Sequence, residues 1–238
     1  MLDEWTVIDR FFARKSPQHS SVVLGVGDDA ALLRLSPGHH WVTSVDTLVS
    51  GVHFFEDVRP FDLGYKSLAV SLSDMAAMGA TPCSTLLSIT LPASDPDWLS
   101  EFSQGFFSLC DAFGLSLVGG DTCSGPLSIT TVVNGEVPAG QALARTGASA
   151  GDLIYVTGHL GDAGFALNQM KINGSVELSC LEALHKPLPR VAWGQALRGI
   201  ASAAVDLSDG LLLDLSQLAS ASRVGALIYA NNIPLSQS

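Results

Sequence analysis

The stretch that decides the fold of this chain is Leu63–Gly79, LGYKSLAVSLSDMAAMG. Its apolar residues recur at close to the spacing of one helix face: Leu63, Leu68, Leu72, Met75 and Met78. This periodicity predicts a long amphipathic helix that begins near Asp62, and Gly79 is of the residue type that commonly ends one. Asp74 falls near the C-terminal end of the predicted helix. Because the helix dipole disfavours an anion there, this placement indicates a functional role.

Shorter apolar segments on both sides of this helix predict strands. In the first half of the chain they cover residues 21–26, 41–45, 85–91, 115–118 and 127–135. A second long helix is predicted from Asp95-Pro96 to about Phe113, with Gly114 as its C-terminal cap. An amphipathic helix is also predicted over Leu2–Lys15.

The segment 137–152, VPAGQALARTGASAGD, is small and polar and indicates a domain boundary near residue 140. The unit after it is predicted to contain strands at 152–158, 204–206 and 225–229, and helices at 162–171, 189–203 and 209–221. Strands and helices that do not alternate strictly favour an α+β fold over a doubly wound sheet. We therefore predict two domains, residues 1–139 and 140–238.

Seven aspartates follow apolar stretches and lie among glycine, serine and other small residues: Asp28, Asp29, Asp46, Asp74, Asp121, Asp206 and Asp209. Strand ends and glycine turns often carry the side chains of a shared site. Carboxylates that converge without basic neighbours repel one another unless a metal ion neutralises them. Oxygen-only ligands suit Mg²⁺, which is normally shared with substrate phosphates. The pattern predicts a Mg²⁺-dependent enzyme that acts on phosphates.

The segment Gly25–Ala30, GVGDDA, also matches the G-x-G-x-x-A dinucleotide fingerprint, with Asp46 about 20 residues further on. Pro37 breaks the short helix expected after this turn, which leaves it too short for a crossover. Two aspartates would also face the pyrophosphate, where a helix end should attract anions. A turn with an aspartate cap explains one carboxylate only, so metal ligation is the interpretation we prefer.

Two further turns carry candidate groups. Gly119-Gly120 before Asp121 would let backbone N–H groups approach a phosphate while the carboxylate holds a metal. The sequence Asp206–Gly210, DLSDG, places two carboxylates and a hydroxyl on one strand-to-helix turn. By residue type alone, the default expectation is a core or rim position for His53 and an interdomain salt bridge for Arg145.

Composition narrows the class of partner. A net charge of −11 argues against nucleic acid or an anionic membrane as the partner. The N-terminus lacks the layout of a signal peptide, and no apolar run reaches the roughly 18 residues of a membrane span. The four cysteines have no metal-site or disulfide spacing. We expect a cytoplasmic protein with reduced thiols.

A resemblance to a known family covers essentially the whole chain. It is carried, in order, by GVGDDAALL, VDTLVSGVHF, SLAVSLSDMAAMGATP, VGGDT, ARTGASAGD with YVTG, PLPR and VDLSDGLLLDL. This set resembles the thiamine-monophosphate kinase branch of the aminoimidazole ribonucleotide synthetase-like family. The resemblance implies a two-domain α+β subunit, in which an N-terminal sheet domain dimerises and binds Mg²⁺ and ATP. The C-terminal α/β sandwich domain would be incomplete here. The implied reaction converts ATP and thiamine monophosphate to ADP and thiamine diphosphate.

The resemblance also implies residue roles. The positions that match its several Mg²⁺ ions are Asp29, Ser44, Val45 (through its backbone), Asp46, Asp74, Asp121, Asp206 and Asp209. The positions that match its nucleotide contacts are Gly120, Asp121, Arg145 and Ser208. His53 matches a contact to the thiamine phosphate.

Two departures from the family pattern stand out. Val45 replaces a common threonine, which leaves a backbone oxygen there as the only ligand. A Gly-Gly-Glu-Asp-Tyr segment and a late aromatic residue that hold the substrate do not occur in these 238 residues. We therefore expect a C-terminally truncated member that binds Mg·ATP and turns over slowly. The alternatives are a non-catalytic Mg–nucleotide-binding fragment and a sister synthetase that acts on another acceptor.

Overall fold

A computed structural model describes residues 2–13 and 18–236. The chain begins with a short helix, α1 (Glu4–Val7), which continues as one π-helical turn (Ile8–Phe12). The strands are β1 (Val22–Leu24), β2 (Leu32–Leu33), β3 (His39–Val49), β4 (Thr81–Leu91), β5 (Ser116–Ser124) and β6 (Ser128–Pro138). The remaining helices are α2 (Pro60–Ala77), α3 (Pro96–Phe113), α4 (Asp162–Lys171), α5 (Leu178–His185), α6 (Val191–Ala196) and α7 (Leu211–Ser222). A single 3₁₀ turn covers Ala230–Asn232.

A four-stranded sheet in the order β3-β6-β4-β5 organises the first half of the chain. β3 and β6 pair antiparallel along their full length, from His39 opposite Pro138 to Val49 opposite Ser128. β4 pairs antiparallel with β6 and parallel with β5, and α3 forms the connection between β4 and β5. β1 and β2 form a separate two-stranded sheet. The mixture of parallel and antiparallel pairs confirms the predicted α+β class.

α2 and α3 pack against each other beside one face of the sheet and form most of the hydrophobic core. Their contact depends on two glycines. A Cβ on Gly64 would lie 2.0 Å from the carbonyl oxygen of Phe102, and a Cβ on Gly105 would lie 1.9 Å from that of Phe61. Since no side chain fits at either position, the backbones of the two helices approach one another directly.

The two long helices confirm the sequence predictions closely. α2 ends just before Gly79, whose φ of 64° places it in the left-handed region. α3 starts after Asp95, whose carboxylate accepts hydrogen bonds from the N–H groups of Asp97 and Trp98. Gly114 ends α3 with a φ of 65°. These boundaries follow from local capping chemistry, which the sequence displays directly.

Several other boundaries were predicted wrongly. β3 and β5 are longer than expected, so Asp46 and the segment Gly119–Thr122 lie inside strands rather than at strand ends. The helix expected after Asp29 is absent, and β2 pairs there with β1. Asp3 caps α1 as predicted, but α-helical geometry ends at Val7, and the last two residues of the predicted Leu2–Lys15 helix lie outside the described residues.

The second half of the chain departs further from prediction. α4 has the predicted bounds, whereas α6 is shorter than the predicted 189–203 helix and α5 was not predicted. The strands predicted at 152–158, 204–206 and 225–229 do not form, and within the described residues this half has only an isolated bridge between Leu160 and Leu235. An extended segment becomes a strand only when a neighbouring segment supplies its hydrogen-bond partners. These three segments find no such ladder.

The two halves meet along α2. A Cβ on Gly194 of α6 would lie 1.9 Å from the carbonyl oxygen of Ala76, so α6 touches the α2 backbone. The guanidinium of Arg198 donates to the carbonyl oxygen of Gly79 at 2.5 Å and to the hydroxyl of Thr81 at 3.1 Å.

Across the described part of the chain, no helix has both the length and the hydrophobicity required to cross a bilayer.

Candidate active site

A cavity of about 280 Å³ opens where β3 and the C-terminal end of α2 face the second half of the chain. Its polar lining consists of Thr43 and Ser44 from β3, Asp74 from α2, and Arg145 and Asp206 from the second half. Residues far apart in sequence therefore converge on one opening. Four of these five side chains carry an oxygen and only Arg145 carries a positive charge.

Serine hydroxyls hold the carboxylates around this cavity. Ser44 donates a hydrogen bond to Asp74. Ser71, which is fully buried on α2, donates to Oδ2 of Asp46 at 2.8 Å. Ser73, also on α2, lies close enough to Asp206 to lower the pKa of its carboxyl. The arrangement keeps the carboxylates in place without neutralising their charge.

Two of these carboxyls are held in an environment that disfavours the anion. Burial raises the pKa of Asp74, the nearby charges of Asp206 and Asp46 raise it further, and the hydrogen bond from Ser44 opposes them. Burial is also the main cause that raises the pKa of Asp206, with Asp214 adding to it and Ser73 opposing it. A cation at this position would relieve both the desolvation and the repulsion.

Arg145 faces the carboxylates without pairing with either. Its Nη1 donates to Oε1 of Gln217 on α7 at 2.6 Å, and its carbonyl oxygen accepts from the Ser222 hydroxyl at 2.7 Å. Among the described residues it forms no salt bridge, so the interdomain ion pair considered from the sequence is not present. Its charge still lowers the pKa of Asp74 and of Asp206. The guanidinium is thus anchored at the cavity with donors left for an anionic ligand.

The turn Asp206–Gly210 reaches the cavity through Asp206, while Ser208 and Asp209 are exposed. A residue that the sequence reasoning missed holds this turn. Asp214 on α7 is 3% exposed, and its Oδ2 accepts from the backbone N–H groups of Ser208, Asp209 and Gly210 at 3.1, 3.1 and 3.0 Å. The sequence feature that could have identified Asp214 is its position as the single carboxylate in the otherwise apolar run Leu211–Leu215, LLLDL.

Asp121 lies apart from this group, at the other edge of the sheet. Asp46 on β3 is opposite Thr131 on β6, and Thr131 is opposite Leu87 on β4. Leu87 is in turn opposite Gly120, the neighbour of Asp121 on β5. Three strand spacings, or about 14 Å, separate the two edges.

The two carboxylates also point to opposite faces of the sheet. Asp46 contacts Ser71 and so faces the helices. Asp121 is in register with Ser88, which alternates with the buried, helix-facing Leu87 and Ile89 and so faces the other way. Asp121 accepts a hydrogen bond from Sγ of Cys123 at 3.1 Å. Its position in this chain is independent of the cavity.

Gly120 has a structural role in addition to any contact with a ligand. A Cβ at this position would lie 1.8 Å from the carbonyl oxygen of Leu87, and its φ is 159°. The residue permits close pairing of β4 and β5 beside a register shift between Thr85 and Leu86. The close approach of a neighbouring strand therefore explains this glycine.

The remaining candidate residues lie on exposed parts of the molecule. Asp28 and Asp29 occupy the connection between β1 and β2, and Oδ1 of Asp28 accepts from the Asp29 N–H at 2.8 Å. Val45 is 59% exposed. His53 accepts at Nδ1 from the Val49 N–H at 3.0 Å, which leaves Nε2 for another partner. Within residues 2–13 and 18–236, no three His, Cys, Asp or Glu side chains already stand in metal-binding geometry.

Comparison with known proteins identifies relatives of the whole chain. Residues 27–137 match the family described as AIR synthase related protein, N-terminal domain. The chain is 47% identical to a thiamine-monophosphate kinase of Salmonella typhimurium over 98% of its length, which corresponds to 73% of that relative. It is 46% identical to the thiamine-monophosphate kinase of Escherichia coli K12, again over 98% of its length and 73% of that relative.

Solved structures agree with these matches. The crystal structure of thiamine-monophosphate kinase from Stenotrophomonas maltophilia K279a superposes with a TM-score of 0.90 at 45% identity, covering 99% of this chain and 77% of that one. A structure of AaThiL complexed with AMPPCP and TMP superposes with a TM-score of 0.80 at 28% identity, covering 85% of this chain and 67% of that one.

Proposed function

This chain belongs to the thiamine-monophosphate kinase family, and on that premise we propose that it transfers the γ-phosphate of ATP to thiamine monophosphate, giving thiamine diphosphate and ADP. One observation of the structure carries the proposal. Ser44, Asp74 and Asp206 line a cavity together with Arg145, and the two carboxyls have raised pKa values there. A relative with the same fold was solved with AMPPCP, an ATP analogue, and with TMP.

Magnesium fits the donor set at this cavity. Asp74 and Asp206 in the cavity lining supply carboxylate oxygens, as does Asp46 near Asp74, and Ser44 supplies a hydroxyl. Arg145 is the only basic side chain among the described residues that line the cavity. Oxygen donors of this kind match the preference of Mg²⁺. These side chains would hold the ion, which would supply positive charge to offset that of the phosphates. Further ions would be held by Asp29, the Val45 carbonyl, Asp121 and Asp209.

The reaction places modest demands on the protein itself. The attacking group is a phosphate oxygen of the acceptor, which is already ionised at neutral pH, so no side chain has to remove a proton from it. The contribution of the chain is then to position two anions in line and to stabilise charge. Arg145 and Ser208 would contact the transferred phosphate or the nucleotide at this cavity, whereas Gly120 lies three strands away from Asp46. Nε2 of His53 would contact the thiamine phosphate.

We also propose that two copies associate through the face of the sheet that the helices leave uncovered. Val45 is 59% exposed on this face, Val132 and Leu86 beside it are half-buried, and the hydroxyls of Thr47 and Thr130 contact each other at 2.8 Å. A second copy would bury these side chains in an isologous interface. In this proposal residues 1–139 form the dimerising domain and residues 140–238 form the second domain.

The test of function is ADP release from Mg·ATP by purified residues 1–238, with thiamine monophosphate as the acceptor. We expect turnover that depends on both Mg²⁺ and thiamine monophosphate and that falls strongly in Asp74→Asn. Binding of Mg·ATP without turnover would favour a nucleotide-binding fragment instead. Turnover with a different acceptor in a parallel screen would favour a sister synthetase.

A further inference from the structure

The buried carboxylate of Asp214 accepts more hydrogen bonds than helix capping explains, since a capping box would account only for the bond from the Gly210 N–H. Asp214 lies in the first turn of α7, but Gly210 occupies the N-cap position of that helix, and no side chain caps it. The carboxylate reaches back past the start of the helix instead. Its Oδ2 accepts from three consecutive backbone N–H groups, those of Ser208, Asp209 and Gly210.

Three successive N–H groups that converge on one point form the kind of concave site that binds phosphates and other anions. In this turn the anion is supplied by the protein itself. With the amides turned inward to Asp214, the side chains of Ser208 and Asp209 are left exposed, and Asp206 lines the cavity on the other side of the turn. These amides are therefore not donors for a substrate phosphate. The turn contributes its side chains.

The energetics favour a carboxylate over a neutral group at this position. Hydrogen bonds to a charged acceptor are shorter and about twice as strong as neutral ones. Asp214 is almost completely buried, and without it the three N–H groups would lose the acceptor that fixes the turn to α7. A turn that is free to reorient would place Asp206 and Asp209 in several positions, and each bound cation would then have to select one of them.

We propose that Asp214 is a positioning residue that presets the Asp206–Gly210 turn for Mg²⁺ and nucleotide, an inference that rests on the proposed function of this cavity. Asp214 does not touch the ligand itself. Asp214 acts through the backbone of the turn, which positions the Asp206 and Asp209 carboxylates and the Ser208 hydroxyl to bind the ligand. Mutation of a residue that orients a metal ligand without touching the metal typically lowers metal affinity or activity by about 10- to 100-fold.

The test compares Asp214→Asn with Asp152→Asn. Asp152 offers a matched control, because its Oδ2 accepts from the Ser149 N–H at 2.9 Å and from the Ser202 hydroxyl at 2.6 Å and thus also braces a turn in the second half of the chain. Asp152 does not line the cavity. Both changes remove one negative charge and keep an oxygen acceptor. The measurements are calorimetric titration with Mg·AMPPCP, the Mg²⁺ concentration for half-maximal turnover, and the melting temperature.

We expect Asp214→Asn to weaken Mg·AMPPCP binding by about 10- to 100-fold and to raise the Mg²⁺ requirement by a similar factor. Asp152→Asn should leave both unchanged, and Asp214→Glu should recover part of the affinity by restoring the charge. A purely structural role predicts a lower melting temperature with wild-type Mg²⁺ dependence for the folded fraction, and that result would overturn the proposal.

Amide exchange on the wild-type protein keeps the proposal testable if Asp214→Asn does not fold. In the absence of Mg²⁺ and nucleotide, the N–H groups of Ser208, Asp209 and Gly210 should already be protected. Exchange at the rate of an unstructured peptide would refute a preset turn. Because this readout and the calorimetry need no turnover, they remain decisive even if thiamine monophosphate proves not to be the acceptor.

Discussion

Asp46 and Asp121 belong to the same four-stranded sheet but lie at opposite edges and on opposite faces of it. A separation of about 14 Å between the edges far exceeds what one Mg²⁺ can bridge with ligand distances of about 2.0–2.1 Å. Within one copy of the chain, a single Mg²⁺ could therefore not be ligated by both carboxylates. Asp46 instead lies near Asp74, and the negative charge of Asp46 helps to raise the pKa of Asp74.

Double substitutions should reveal this separation. We expect Asp46→Asn and Asp121→Asn each to weaken Mg²⁺ binding in calorimetric titrations. Their effects in the double variant should add to within about 0.3–0.5 kcal/mol, as for distant sites. The pair Asp46→Asn and Asp74→Asn should depart from additivity, because these side chains interact directly. Strong coupling between positions 46 and 121 would contradict the assignment to separate ions.

Arg145→Ala should weaken nucleotide binding more than acceptor binding. A lost hydrogen bond to a charged group corresponds to roughly 1.5–3 kcal/mol, or about 10- to 150-fold in affinity. Arg223→Ala is the matched control, because it removes an exposed positive charge at the end of α7 outside the cavity. Calorimetric titration with AMPPCP distinguishes them. Equal AMPPCP affinity in wild type and Arg145→Ala would show that Arg145 contacts α7 but does not bind the nucleotide.

Gly120→Ala should destabilise the fold, because a Cβ there would lie 1.8 Å from the Leu87 carbonyl oxygen and would force β4 and β5 apart. Overpacking of this kind typically costs about 1–3 kcal/mol. Gly164→Ala is the control, since a Cβ at that position in α4 meets nothing within 4 Å. We expect this control to be neutral or stabilising by about 0.5–1 kcal/mol. Urea denaturation measures both, and equal midpoints for the two variants would argue against close pairing at Gly120.

Acidification should destabilise the contact between α5 and α2 through His185. Burial lowers the pKa of His185, Lys66 and Lys186 lower it further, and Asp62 and Asp57 oppose them. A histidine whose pKa is lower in the folded state contributes stability above its unfolded pKa of about 6.5, and that stability is lost as the pH falls from this value through the lower pKa of the folded state. The melting temperature of wild type should therefore fall more between pH 7.5 and 5.5 than that of His185→Gln.

The control for that comparison is His40→Gln, which removes an exposed imidazole from β3. It should follow the wild-type pH dependence. If the melting temperatures of His185→Gln and wild type fall by the same amount between pH 7.5 and 5.5, the lowered pKa of His185 has no consequence for stability.

The amino-acid sequence by itself determined the local features of this protein. The apolar spacing of α2, the Asp95 cap and the Gly114 end of α3 depend on residues within a few positions of each other, so they can be read directly. The sequence motifs also indicated the family. Such features need no knowledge of distant segments.

The tertiary structure decided which of these groups meet. The pairing of β3 with β6 places Asp46 inside a strand and brings it to Ser71, and the strand order carries Asp121 to the far edge. Asp214 became visible as a turn-holding residue only when its three amide partners were located. Strand register and buried hydrogen bonds depend on partners from other parts of the chain. For that reason periodicity and motif spacing could indicate candidate site residues without showing how they are arranged.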